Sequence, residues 1–302
     1  MTIAPEWIAV DWGSSNLRVW AMGAEGPLAE AQSGAGMLGL RAEEFETVLL
    51  DLIKPWLSGQ PMPVIICGMA GSKQGWVEAP YRKVPCAPVD AAEVMPVVTR
   101  DARLKVRIAP GLMQLQPAAD VMRGEETQIA GALALYPRFD GVICLPGTHS
   151  KWVHVSAGEV VSFQTFMTGE MFALLSQHSV LRHSVQAEDW DDAAFEAGLA
   201  ETLSRPERLA ARLFSLRAES LVAGLEPAAA KARLSGLLIG AELAAAKPYW
   251  LGQEVALIGA PALCANYAKA LSRQGVEARL LPGRECTLAG LAVLAGKFGG
   301  KN

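Results

Sequence analysis

Asp11, Gly13, Ser14, Ser15 and Arg18 lie in the stretch WIAVDWGSSNLRVW, residues 7–20, where an apolar run stops at a carboxylate, turns on small hydroxyl residues and resumes with a guanidinium. A hairpin tipped this way places backbone N–H groups and hydroxyls around a concavity, with a carboxylate at the strand end. Gly13, Ser14 and Ser15 would then donate to phosphate oxygens, and Arg18 would neutralise charge building up on a transferred group. Asp11 suits Mg²⁺, a hard cation that keeps its waters and takes few protein ligands. A single turn of this type also occurs as an ordinary polar hairpin. A second one strengthens the reading: PGTHSK, residues 146–151, offers Gly147, Thr148 and Lys151 after another apolar strand. His149 and His154 flank it without the spacing of a metal pair.

The elements around the two turns repeat. EWIAVDW, NLRVWAM and PLAEAQS read as three short strands, followed by a helix over about 42–57 and a buried strand PVIICG. LKVRIA is strand-like, and a helix is expected over about 124–136. The order restarts at 140 with the strand DGVICLPG and a hairpin, KWVHVSAGEVVSFQTF, turning at Ala157-Gly158. Three helical segments between about 190 and 246 follow, with Pro206 and Pro227 in first-turn positions. EVALIG, PALCANYAKALSRQ, EARLLPG and TLAGLAVLAGKF close the chain as strand, helix, strand, helix. The fold class expected is α/β, with two similar halves, residues 1–138 and 139–302, each a mixed sheet with flanking helices.

Composition excludes several classes of function. The 302 residues are 51% hydrophobic and 19% charged, enough for two cores, and the net charge of −4 is carried without basic clusters. No nucleic-acid footprint or anionic-membrane footprint results. The N-terminal residues lack a basic leader region, and LSGLLIGAELAAA is too short, and interrupted by Glu242, to span a bilayer. A cytoplasmic protein with small polar partners is expected, with a homodimer left open. Five cysteines at 67, 86, 144, 264 and 286 have no disulfide or metal spacing and read as reduced core thiols.

DWGSSNLR resembles the first phosphate motif of the sugar kinase, heat-shock chaperone and actin superfamily, with Ser14 where many members have Thr. ICGMAGSKQGW, VMRGEETQIAGAL, LPGTHSKWV, FQTFMTGEMFALLSQHSVL, LSGLLIGAEL and LIGAPALCANYAKAL extend this to nearly the whole chain. Together they resemble the 2-dehydro-3-deoxygalactonokinase family. The resemblance implies two actin-like, ribonuclease H-like domains with the active site in the cleft between them. It also implies ATP with Mg²⁺, and phosphorylation of the terminal hydroxyl of a six-carbon 2-keto-3-deoxy sugar acid.

That chemistry needs a general base for the acceptor hydroxyl. Glycerol-kinase-like enzymes begin a helix with Gly-Asp some twenty residues before the second phosphate turn, and Gly124-Glu125 stands there in this chain. Glu125 is the first choice, with Glu126 and Asp120 open; acidic residues at a helix start also simply complement its dipole. Gly36, Ser72, Gln74, Trp76 and Thr165 are the candidates for the acceptor pocket, and Lys73, Arg82 and Arg123 compete unranked to hold its carboxylate. Gly259, Ala260 and Pro261 open a helix suited to the adenosine side. The gluconate epimer is an alternative acceptor. Two other classes compete: an ATPase switch without a small acceptor, for which no extra domain fits, and a silent sugar sensor, which would have lost the carboxylates.

Overall fold

A computed structural model describes residues 4–296, which pack as two compact units. The first unit comprises the chain up to Asp140, Val155–Ser162 and the segment from Pro282 onward; the second comprises Gly141–His154 and Phe163–Leu281.

In the first unit the strands are β1 (Trp7–Trp12), β2 (Leu17–Gly23), β3 (Gly26–Ser33), β4 (Met62–Gly68), β5 (Tyr81–Lys83), β6 (Met95–Pro96), β7 (Leu104–Ile108), β8 (Gly111–Gln114) and β9 (Asp120–Met122). Its first helices are α1 (Phe45–Ile53) and α2 (Glu125–Leu135). The main sheet runs β3-β2-β1-β4-β7-β6, with β1, β4 and β7 parallel and β2 and β3 folded back antiparallel. Alternation along β1 explains its burial on both faces. Ile8, Val10 and Trp12 pack with Phe45, Leu49 and Ile53 of α1. Trp7 and Ala9 face the other way, toward Ala130 of α2 and Leu288, Leu291 and Leu294 of the C-terminal helix.

The second unit contains β10 (Gly141–Leu145), β11 (Ser150–Ser156) and β12 (Glu159–Phe166) except for their shared tip, Val155–Ser162, then α3 (Thr168–His178), α4 (Asp192–Ser204), α5 (Leu209–Val222), α6 (Pro227–Ala245), α7 (Lys247–Trp250), β13 (Val255–Gly259), α8 (Pro261–Ser272) and β14 (Arg279–Pro282) up to Leu281. Its sheet order, β12-β11-β10-β13-β14, repeats β3-β2-β1-β4-β7 of the first. Two meanders, each joined through its first strand to a parallel strand, are the duplicated actin-like architecture. Ala157 and Gly158, at φ 50° and 80°, make the expected hairpin turn.

Several elements differ from expectation. The helix over 42–57 is α1 bracketed by single 3₁₀ turns at Ala42–Glu44 and Lys54–Trp56, where Pro55 cannot donate its N–H. The mixed segment before α2 holds the small sheet β5-β8-β9. A further helix, α3, forms at 168–178, with Phe172 and Leu175 packed against residues of α5 and α6 but none of its residues completely buried. Packing also does not divide at a single chain position: α9 (Gly283–Leu294) lies against α2, and the bridge between Cys86 and Val160 ties the β11–β12 hairpin tip into the first unit. The expected end of the last helix, at Phe298, falls outside the described residues. No described helix is long and apolar enough to cross a membrane.

Two glycines set the α2–α9 approach. A Cβ on Gly131 would overlap the Cys286 carbonyl, and one on Gly290 the Thr127 carbonyl. Gly131→Ala is therefore expected to lose stability although alanine is the better helix former by about 1 kcal/mol. Overpacking costs about 1–3 kcal/mol or more, and chemical denaturation should show a lowered midpoint.

Candidate active site

Parallel pairing of β1 with β4 brings Asp11 beside Cys67, and antiparallel pairing with β2 sets it opposite Arg18. The Arg18 guanidinium lies 3.7 Å from Asp11 Oδ2, and the Cys67 thiol donates to Oδ1 at 3.9 Å. The aspartate side chain keeps 25% of its exposure and the arginine 56%, so both remain reachable at the carboxyl end of the sheet, the edge where open α/β sheets bind ligands. Burial pushes the Asp11 carboxyl up; Arg18 opposes this, and the neighbouring charge of Glu125 adds to it. A carboxylate whose ionisation a neighbouring carboxylate opposes suits a cation held between protein and phosphate. Among the described residues, no three His, Cys, Asp or Glu gather into a metal cage.

The turn itself is built by backbone. Gly13 N–H donates to Asn16 O at 2.8 Å, while Met37 and Leu38 N–H groups donate to Gly13 O and Ser14 O at 3.1 and 3.0 Å. Ser14 and Ser15 are left exposed. Gly36, expected in the acceptor pocket, backs this turn: a Cβ there would overlap the backbone of Ser14 and Ser15.

The three candidate bases separate by environment. Gly124, at φ 104°, lets the chain leave β9 and enter α2 hard against Gly68, itself at φ 90°. Glu125 is half-buried and accepts from Arg123 N–H at 3.0 Å. Glu126 points inward, wholly buried, accepting from Gly124 N–H at 2.6 Å and Thr127 Oγ1–H at 3.1 Å. Burial, then the Glu125 charge, raises its pKa to about 8. Asp120 begins β9, opposite Gln114, and accepts from Val121 N–H. The coupling of Asp11 to Glu125 brings these two together and leaves Asp120 in the small sheet.

The raised Glu126 carries a pH prediction. Between its ordinary value of 4.5 and about 8, the folded state holds a proton that the unfolded chain has lost. Unfolding then releases a proton, so this group's contribution to stability falls as pH rises through that window. Glu126→Gln should flatten the decline, its melting temperature gaining on the parent's as pH rises. Parallel melts in the acid and alkaline parts of the window check this; a constant difference refutes it.

Among the acceptor candidates, Ser72 is buried, whereas Lys73 and Gln74 are exposed. Trp76 stacks at 6.2 Å and 24° on Phe45 and meets Trp12 edge-on at 6.4 Å, joining the α1 core. Arg82 is committed, its Nε to Glu93 at 2.8 Å and its Nη1 to the Ala87 carbonyl at 2.6 Å. Thr165 is half-buried on β12.

In the second unit, Gly147 and Thr148 border a cavity of about 710 Å³ whose wall also includes Phe172, Trp190, Leu263 and Asn266. Such a volume with flat apolar walls suits a nucleoside. A Cβ on Gly169 would overlap the Gly147 carbonyl, and Glu170 N–H donates to Thr148 O at 2.9 Å, so the start of α3 braces the turn. His149 Nε2 meets Glu170 Oε2 at 2.6 Å. Gly259 packs on Pro146, a Cβ falling 2.9 Å from its carbonyl, which ties the Gly259-Ala260-Pro261 start of α8 to the same turn. Lys151 is buried on β11 rather than displayed at the turn.

Glu242 had registered only as an interruption of an apolar helix. It accepts from Trp152 Nε1–H at 2.8 Å and Tyr267 O–H at 2.7 Å, and Ser150 and Tyr267 hydroxyls lie 3.0 Å apart. Burial pushes it up, while bonds from Thr168, Trp152, Tyr267 and Ser150 restrain the rise. Thr168 and Tyr267 face the cavity, so this carboxylate fixes its wall from behind. The available signal was the acid inside LLIGAELAAA, since a buried charge requires partners.

Comparison with known proteins identifies the family. A family model described as 2-keto-3-deoxy-galactonokinase matches residues 11–294. A protein of Rhizobium meliloti (strain 1021), named as a probable 2-dehydro-3-deoxygalactonokinase, is 40% identical over 304 residues, 98% of either chain. The 2-dehydro-3-deoxygalactonokinase of Escherichia coli (strain K12) is 35% identical over 291 residues, 96% of this chain and 97% of its own. A crystal structure from Sinorhizobium meliloti, provisionally described as a 2-dehydro-3-deoxygalactonokinase, reaches a TM-score of 0.88 at 40% identity, covering 96% of this chain and 95% of that one. With the family model and two full-length relatives in accord, the chain belongs to the 2-keto-3-deoxy-galactonokinase family, phosphotransferases that act on an alcohol group.

Proposed function

We propose that the chain transfers the γ-phosphoryl group of ATP to the 6-hydroxyl of 2-dehydro-3-deoxy-D-galactonate, giving the 6-phosphate and ADP. The observation that carries this is the pairing of Asp11 with Arg18, and its nearness to the Glu125 charge, at the carboxyl end of a sheet whose first hairpin turn exposes Ser14 and Ser15. Phosphoryl transfer asks a protein chiefly for positioning and charge neutralisation. Glu125 accepts the proton of the 6-hydroxyl as its oxygen bonds to the γ-phosphorus and the bond to the bridging oxygen breaks. Arg18 neutralises the phosphoryl oxygens, and Gly13, Ser14 and Ser15 donate to the phosphates.

Asp11, with Glu125 nearby, would hold Mg²⁺, which when bound screens the phosphate charges. The cavity lined by Trp190, Leu263 and Asn266 receives the adenosine, with Gly259, Ala260 and Pro261 at its edge. Lys151, buried beside the second turn, adds positive charge from behind it. Glu126 stays protonated and structural near neutral pH, and Asp120 takes no part.

Purified protein with MgATP is expected to form ADP only when the sugar acid is added. The gluconate epimer should react more slowly, because a misdirected hydroxyl leaves a buried partner unpaired. Coupled detection of ADP with both acids tests this. ADP formation at an equal rate without acceptor would refute the kinase reading and favour an ATPase switch.

A further inference from the structure

Arg123 is the most buried of the cations considered for the acceptor, at 8% exposure, yet only part of its guanidinium is used. Nη2 donates to the Ala79 carbonyl at 2.7 Å, and the group lies over the Tyr81 ring, 4.3 Å from its centroid. Nε and Nη1 have no hydrogen-bond partner, and neither does the hydroxyl of Ser72. These orphaned donors share one place. A Cβ on Gly71 would fall 2.8 Å from Arg123 Nη1, so the guanidinium lies against the residue that precedes Ser72. Neither nearby carboxylate hydrogen-bonds the guanidinium: Glu125 accepts from the Arg123 backbone N–H, and Glu126, which feels the Arg123 charge, accepts from Gly124 and Thr127.

A buried donor left unmatched costs about 1–3 kcal/mol, more for a charged group. Two unmatched guanidinium donors beside the residue that precedes an unmatched hydroxyl are therefore expensive unless a ligand completes them. The missing partner must accept hydrogen bonds and carry negative charge, and a carboxylate brings two acceptor oxygens and a charge opposite to that of the guanidinium. We infer that Arg123 and Ser72 bind the carboxylate of the sugar-acid acceptor. The inference rests on the kinase reading above and names the group that holds the end of the substrate remote from its reacting hydroxyl. Its location agrees: Arg123 and Glu125 flank Gly124, so the base and the carboxylate anchor emerge from one turn of chain. The segment 71–79 shields the donors, tied down by Gly75 N–H to Ser72 O, Trp76 N–H to Ala70 O and Ala79 N–H to Gly71 O. Binding requires that cover to shift, and a carboxylate sealed beneath it is held in a dry site where charge-assisted bonds are strongest.

Ser72→Ala separates a ligand role from a structural one. Deleting an unpaired buried hydroxyl leaves fold stability unchanged or raised, whereas loss of a substrate contact raises the acceptor KM about fivefold or more with the ATP KM unchanged. Arg123→Gln should raise the acceptor KM by at least about tenfold, again sparing the ATP KM. The second arm varies the ligand, comparing the acid with its uncharged methyl ester. The parent enzyme should prefer the acid strongly, and Arg123→Gln should lose most of that preference. Should Arg123→Gln fail to fold, Ser72→Ala and the parent's preference for acid over ester decide the matter. Unchanged acceptor KM in Ser72→Ala, together with equal use of acid and ester by the parent, overturns the assignment while leaving the kinase reading intact. Failure of the parent to phosphorylate either epimeric acid overturns both.

Discussion

Glu125→Gln should bind ATP and the sugar acid with near-parent affinity yet turn over at least about a hundredfold more slowly, since loss of a general base costs about 10²–10⁴ in rate. The amide keeps the size of the side chain and an acceptor oxygen for Arg123 N–H, the bond that holds residue 125 at the start of α2. It cannot take a proton. The competing explanation, a carboxylate serving only the helix dipole, predicts a stability loss under about 1 kcal/mol and normal turnover. Calorimetric titration beside steady-state kinetics separates the two, because kcat falls while the dissociation constants hold. Glu126→Gln is the internal control. Its carboxyl is wholly buried and raised to about 8, so it is mostly protonated at neutral pH and unable to accept a proton there. If Glu126→Gln were the slow variant and Glu125→Gln the normal one, the base would be the inner carboxylate. Full activity in both would return the role to Asp120.

The second large effect is expected at Asp11. Asp11→Asn preserves shape but removes the charge that faces Arg18 at 3.7 Å and would hold Mg²⁺. Turnover should fall by about a hundredfold or more, in keeping with metal-assisted charge stabilisation worth several kcal/mol. The fold should survive and could tighten slightly, because burial and the Glu125 charge already push the Asp11 carboxyl up, so ionising it costs folding energy. Raising Mg²⁺ should restore part of the lost rate if the metal is bound more weakly. Unchanged kcat with an intact circular dichroism spectrum would return Asp11 to the role of a turn-capping residue. Arg18→Gln distinguishes the two members of the pair: it removes transition-state neutralisation while leaving Asp11 charged, so kcat should fall with the Mg²⁺ requirement intact.

By itself the sequence determined the repeated strand order, the two turns built on glycine and hydroxyl residues, and the family, because each is encoded locally. Alternating apolar residues set β1, β2, β10 and β11, and Gly with short hydroxyl residues set the turns between them. The segments where it said less are those whose shape depends on distant partners. The small sheet β5-β8-β9 has three- and four-residue strands with little periodicity, and α3 buries none of its residues completely. Choice among Glu125, Glu126 and Asp120 was likewise undecidable from spacing, since one residue of helix rotation turns a side chain from half-exposed to wholly buried. Gly36 proved to be a steric support for Ser14 and Ser15, and Trp76 part of an aromatic core, roles set by contacts 21 or more residues away along the chain. Tertiary structure alone gathered four donors on Glu242 and left Arg123 and Ser72 with donors to spare, because hydrogen-bond satisfaction is a property of the packed interior.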